Sequence, residues 1–523
     1  VGLILTLLGC TANVEDPAPA SSVPTLDDAA LLTRASLDLR GRRPSIVELD
    51  ALAADPGARD GMIDAMFDLP EFETRVASIY ADIYLTRQDE WVLSASAVGL
   101  DDEATYVQSV GDEVPRFIGR VAATDRPWTD LVTADWTMAD ETLRTIWPLT
   151  GDGSGWQESR YTDGRPALGV LGTNSFWWRY PSSESNLGRG RANAISKLLL
   201  CNDYLARDIE FDRSVDLSDE AAVREALETN PSCVSCHVSL DPLAANLFVF
   251  YTLYEYSPVE QATWHPDRET MWEDTLGVAP AYFGQPTANI WEMSRAIAAD
   301  RRFVTCAVEQ ASSALLQRPS TIADAEALTA HREAFLAGGL TLRALYRSVL
   351  ESDAYRASGE RGVRKLVTPD LLASQVEALT GYRLTSDGWD LLRNGTLGLR
   401  LLAGGADGVY VTSNVNTPNV TTLLVQERLA EAAATYVAAV DHAAPTHLFT
   451  SIDFTETPAT ARDAMVNQLQ ELHRAVLSTP ADDAEVDALL ALWSDLYADG
   501  ADAEAAWAGV LTALLRDPTF VVY

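Results

Sequence analysis

Residues 230–243 read Asn-Pro-Ser-Cys-Val-Ser-Cys-His-Val-Ser-Leu-Asp-Pro-Leu. The pentapeptide Cys233-Val234-Ser235-Cys236-His237 within them decides how the chain is read. Two cysteines three apart, followed at once by histidine, form the attachment signal of a c-type haem. The chemistry needs that order. Both thiols add to the vinyl groups of the porphyrin, and the histidine then reaches the iron as its proximal ligand. Three other readings compete. A structural zinc site needs about four ligands, and no second Cys-x-x-Cys or His-x-x-x-His completes one. A thioredoxin-like Cys-x-x-Cys sits in a βαβ pattern, which is missing around these residues. A plain disulfide is the third. The motif predicts haem c, with Cys233 and Cys236 as attachment points and His237 as an iron ligand.

The N-terminal residues agree with that reading. Val1 to Leu8 is an apolar run, and Leu7-Leu8-Gly9-Cys10 has the form of a lipobox. The run is too short to span a membrane as a helix, and it reads as the end of a signal peptide. No basic residue precedes it, which predicts a start further upstream. Cys10 is the expected lipidation site. The Pro-, Ala- and Ser-rich stretch 11–24 reads as a tether. Haem attachment to this motif takes place outside the cytoplasm, so the two signals predict an exported cell-envelope lipoprotein. Its anchor would place it at the outer membrane, on the periplasmic or the surface face.

Composition bounds the partners. Acidic residues outnumber basic ones 76 to 39, for a formal net charge of −37. Nucleic-acid binding needs a basic face, so that class is excluded. The excess keeps the chain soluble and would suit a basic redox partner protein. Five cysteines are present. With Cys10 assigned to lipid and Cys233 and Cys236 to haem, Cys201 and Cys306 remain. In an oxidising compartment such a pair usually bonds, and a Cys201–Cys306 disulfide is expected. Two buried free thiols are the alternative.

Apolar spacing predicts a mainly α, multi-segment protein with little β structure. Helices are expected over 28–39, 60–68, 72–86, 104–123, 191–207, 219–228, 289–299, 303–316, 323–336 and 341–351. Others are expected near 369–380, 420–441, 460–478, 483–498 and 502–515. Ser45 to Glu48 reads as a capping box that opens another helix. Val409 to Thr412 alternates and predicts a short strand or hairpin. A helix end is followed by an acidic-x-x-aromatic or Pro-x-aromatic step at Phe72, Phe303, Tyr355 and Phe520, which reads as an aromatic plug that seats the helix end and serves packing. The expected division is a signal and linker (1–25), an N-terminal helical domain (26–150), a pre-haem domain (151–215), a haem domain with a cytochrome-c-like segment (216–360) and a C-terminal helical domain (361–523).

The stretch from Ala222 to Leu247, AVREALETNPSCVSCHVSLDPLAANL, resembles the haem segment of the planctomycete-type cytochrome c envelope proteins. These are large chains in which the haem domain is flanked by several uncharacterised domains. Residues 165–201 resemble the domain before the motif, and 284–310, with Phe303, Cys306 and Gln310, resemble the domain after it. Cys201 and Cys306 match cysteines of that pattern, which supports their pairing. Looser likeness covers 31–52, 125–140, 365–381 and 514–520. The loop 257–288 departs from the Gly-rich loop of the family and carries Trp264, His265, Met271 and Trp272 instead. The resemblance implies a haem-bearing envelope protein and no particular reaction.

The sixth iron ligand decides between electron transfer and an open, reactive iron. Met293 is named for it, although its amphipathic helix suits a core methionine, and Met271 and His265 are the other candidates. Leu240-Asp241-Pro242 reads as a turn that supplies an acceptor for the second ring nitrogen of His237. Arg189 and Arg191 are candidates for haem propionates, with a plain helix-start role as the alternative. Leu243, Leu247, Phe248, Phe250 and Tyr251, with Trp291 and Phe303, are candidates for the haem pocket. No catalytic residues can be assigned. Three functions follow: an electron-transfer lipoprotein with one haem; a haem peroxidase or oxidoreductase acting on envelope or extracellular polymers; and a structural or binding lipoprotein.

Overall fold

The computed structural model describes residues 24–183, 185–208, 214–251, 263–359, 362–500 and 502–523. The lipobox, Cys10, nearly all of the tether and part of the 257–288 loop lie outside these residues. The described residues are mainly helical, with 60% helix against 4% strand. No helix among the described residues is long and apolar enough to cross a membrane.

Local chemistry sets the helix starts. Asp27, Asp102, Asn230, Asn289 and Thr368 each accept a hydrogen bond from a first-turn N–H with the side chain, which satisfies an otherwise orphaned donor. The capping box at Ser45 forms with Glu48. Glu48 also takes both terminal nitrogens of Arg40, at 2.6 and 2.9 Å. Burial pushes its carboxyl up, but the bonds from Arg40 and Ser45 outweigh this and bring it from 4.5 down to about 2. A carboxyl depressed by folding contributes stability above its unfolded value and loses it as the pH falls through the folded one. Glu48 is partly exposed, so solvent screens the gain. Glu48→Gln is therefore expected to cost about 1 kcal/mol at pH 7. That difference should shrink towards zero between pH 4.5 and 2, as read from urea unfolding of both proteins across the range. An equal cost at every pH would contradict it.

Two apolar cores organise the chain. The first runs from Leu31 to Tyr355, so segments 26–150, 151–215 and 216–360 share one interior. The second is built from residues between Leu366 and Val521, joined by Leu37. The Asp28–Arg40 helix serves both, since Leu31, Leu32, Ala35 and Leu39 enter the first core while Leu37 enters the second. At this joint the buried Asp38 pairs with Lys365 and accepts from the phenols of Tyr355, at 2.6 Å, and Tyr523, at 2.9 Å. Burial lowers the Lys365 pKa to about 8, and the carboxylate beside it opposes the fall. Gly41 ends the helix with φ 72°, a left-handed value that glycine adopts without penalty. Arg43 beyond it donates to the carbonyls of Thr519, at 2.7 Å, and Phe520, at 3.2 Å.

The aromatic plugs share one position. Phe72, Phe303, Tyr355 and Phe520 each lie three residues after a helix cap, and all are at most 1% exposed. Cys201 and Cys306 form a disulfide, with Cα atoms 5.2 Å apart. It joins the end of the Arg189–Leu200 helix to the Arg301–Leu316 helix, where Gln310 also donates to the carbonyl of Leu198 at 2.8 Å.

Two expectations are corrected. Residues 409–412 form no strand. One oxygen of Asp407 accepts the N–H groups of Val409, Tyr410 and Val411 at 2.7–2.8 Å, and this winds the segment into a turn. The helix expected to run to residue 207 stops at Leu200, because Cys201 takes a left-handed conformation. The clearest strand pair is Thr137–Ala139 with Gln157–Ser159, whose connection holds the Gly-rich stretch 151–155.

Candidate haem site on the Pro231–Ala245 helix

Asn230 caps the helix that carries the motif, donor Ser232 N–H to its side chain at 3.0 Å, and Pro231 occupies the first turn. A proline there lacks only an N–H that would be orphaned anyway. Residues i, i+3 and i+4 share a helix face, so Cys233, Cys236 and His237 stand together. Both thiols are free. Cys236 is 9% exposed, Cys233 is half-buried, and the His237 side chain is 26% exposed.

The helix does not end at the expected turn. It continues through Pro242 to Ala245. A proline inside a helix leaves the carbonyl four residues earlier without its bond. That residue is Val238, which is 66% exposed. Asp241 therefore sits on the helix, one turn after His237, and its Oδ1 lies 2.9 Å from the histidine Nδ1. The Arg189 guanidinium clamps the same carboxylate at 2.7 and 3.0 Å. Burial drives the Asp241 carboxyl upward, yet the hydrogen bonds from His237 and Arg189 prevail and hold it below the usual carboxylate range. An ionised carboxylate only accepts. Nδ1 of His237 is then the donor of this bond, and Nε2 is the ring nitrogen left for a ligand. A metal-ligating histidine has this arrangement, its other nitrogen fixed by a carboxylate.

Arg189 thus serves the histidine, and it is not free for a propionate. Arg191 is 1% exposed and donates to the carbonyls of Tyr180, at 2.9 Å, and Phe250, at 2.6 Å. Burial lowers its pKa to about 9. Its role is to hold loops in the interior, so the propionate expectation is corrected for both arginines.

The expected pocket walls also lie elsewhere. Leu243, Leu247, Phe248, Phe250 and Tyr251 are at most 5% exposed. Phe250 packs on Trp177, with ring centroids 5.2 Å apart, and Phe303 on Trp128 at 6.2 Å. Their apolar surface is spent on the chain's own core. Trp291 is 40% exposed, under the Arg295 guanidinium. Met293 is fully buried in the first core. His265 holds its backbone N–H on the Val249 carbonyl at 2.8 Å, and Met271 is half-buried. The remaining histidines have local partners: His331 Ser348, His442 Glu504, His447 Thr446, and His473 the carbonyl of Thr479.

Three neighbours went unread in the sequence. The Arg207 Nη1 lies 3.9 Å from the Cys236 sulfur, Arg207 stacks over Tyr204 at 4.7 Å, and the Tyr204 hydroxyl meets Ser239 at 2.7 Å. They reach the motif only because the chain turns at Cys201, which no local pattern announces. The donor set fits a c-type haem: paired free thiols beside a histidine with one nitrogen fixed and one available. Among the described residues, no group of three or more His, Cys, Asp or Glu side chains that could hold a metal ion is assembled.

The carboxylate makes a testable difference. Asp241→Asn is expected to raise the midpoint potential of the haem-loaded protein, because a neutral amide stabilises the ferric ion less. A 10–100-fold loss of ferric-selective affinity, at 59 mV per decade, corresponds to about 60–120 mV. An unchanged potential would show that the contact is structural only.

No family model, no curated protein and no solved structure matches this chain. The likeness read from residues 165–310 rests on their own motifs.

Proposed function

We propose that this chain is a c-type cytochrome lipoprotein of the cell envelope, which transfers electrons through one haem bound covalently at Cys233 and Cys236. The supporting observation is the His237–Asp241–Arg189 chain, which fixes the imidazole and leaves Nε2 for iron. Haem c, once attached, supplies reversible one-electron chemistry. The protein's part is to hold the two thiols on one helix face, orient the imidazole and set its basicity. Lipidation of Cys10 would place this unit at the membrane, with a redox protein as the partner.

The runner-up is a haem enzyme. Burial of Met293 within the first core favours it, because a methionine packed there is occupied by the chain's own side chains. Spectra separate the two. A low-spin, six-coordinate spectrum in resting and reduced protein is expected for the carrier, and substitution of Met293, Met271 or His265 should convert it to high spin. A high-spin native spectrum would overturn the electron-transfer reading and put the enzyme first.

A further inference from the structure

We propose a second site, independent of the haem reading: the cleft between the two apolar cores binds the carboxylate of an acidic sugar through Arg75. This cleft has a volume of about 710 Å³. One wall is a face of the Pro70–Tyr84 helix, where Arg75, Ile79, Asp82 and Ile83 recur at helical spacing. The opposite wall comes from the Arg301–Leu316 helix, and the loop 412–416 closes over from the second core's side.

Arg75 carries the argument. It is 9% exposed. Among the described residues its guanidinium makes no hydrogen bond or ion pair, and its Nε is buried without a partner. Nearby Asp370 feels its charge, but that carboxylate is bonded to Ser78 and Arg393. A buried guanidinium is stabilised when an anion meets it, and its planar fork matches a carboxylate. An arginine with no hydrogen-bonded anion at the wall of an open cleft is an anchor for one.

The rest of the lining describes what the anion belongs to. Asp82 is already engaged by Asn414, at 2.7 Å, and faces Arg400 at 3.6 Å. Thr412, Ser413 and Asn416 are exposed at the rim, with uncharged donors and acceptors. Oδ1 of Asn414 is buried without a partner. Glu309 lines the cleft as well, and burial raises its pKa. Such a wall suits many hydroxyls and one negative charge. Ile79, Ile83, Ala314, Pro319 and Leu328 add apolar surface on which the face of a sugar ring can rest. A phosphate dianion would bring a second charge before the Asp82 and Glu309 carboxyls, and Arg318, the other arginine of the lining, is already paired with Asp324.

Calorimetric titration of the matured full-length chain with galacturonate, galactose and acetate tests this. Galacturonate is expected to bind at least tenfold more tightly than either of the others. Arg75→Gln should lose at least tenfold of that affinity. Because Arg75 is buried, Ser313→Trp provides a second variant: it fills the cleft, leaves the guanidinium in place, and should also abolish binding with the thermal midpoint unchanged. Absence of galacturonate binding, acetate binding as tight as galacturonate, or binding retained by either variant would overturn the proposal.

Discussion

Replacing Cys233 and Cys236 together by serine is expected to give a folded protein with no covalently attached haem. Haem c is held by thioether bonds, and serine cannot form them. The fold should survive, because neither sulfur bridges another part of the chain and the helix is secured by its Asn230 cap, Pro231 and the Asp241–Arg189 clamp. Cys236 is the more buried of the two, and its replacement should cost about 1 kcal/mol, since the Arg207 guanidinium beside the sulfur gives a hydroxyl a polar neighbour. The two readouts are a haem-stained denaturing gel and the far-UV circular dichroism of the same sample. Covalent haem persisting in the double variant would contradict the assignment of the motif.

The second large effect concerns the other pair of cysteines. Substituting Cys201 and Cys306 by alanine removes a cross-link between residues 105 apart. In the chain-entropy account a loop of about a hundred residues is worth ~4–5 kcal/mol. The bridge encloses the whole motif segment and ties the helix bearing Arg189 to the first core, so its loss should also loosen the clamp on Asp241. Urea unfolding followed by tryptophan fluorescence is expected to show the drop in free energy. A difference below about 1 kcal/mol, within the range of surface substitutions, would mean that the unfolded chain is not expanded enough for the tether to matter.

Much of the architecture was legible because it is written locally. Helix after helix begins at an Asp, Asn, Ser or Thr and carries apolar residues at 3.6-residue spacing, and the Ser45–Glu48 box forms as read. The disulfide followed from counting cysteines. What failed was decided by contacts distant in sequence. Pro242 reads as a turn, yet the helix tolerates it because Val238, whose carbonyl is freed, faces outward. Val409 to Val411 alternate like a strand, yet the nearby Asp407 collects their N–H groups. The apolar run 243–251 was read as pocket lining, but the same composition serves a core equally well, and the core claimed it. At the site, the motif and an acceptor near residue 241 were visible. Arg189 as the partner of that acceptor was not, because 52 residues separate the two. Arg75 carried no signal at all: a lone arginine on an amphipathic helix reads as surface until the second core folds over it.

The most direct measurement is a pyridine-haemochrome spectrum of the chain after export in a host with the c-haem maturation machinery, taken on acid-acetone-extracted protein. The account predicts one haem per chain, retained through extraction, with the absorption signature of saturated thioether side groups. A chain that leaves the maturation host without haem, or gives up its haem to the solvent, would contradict it.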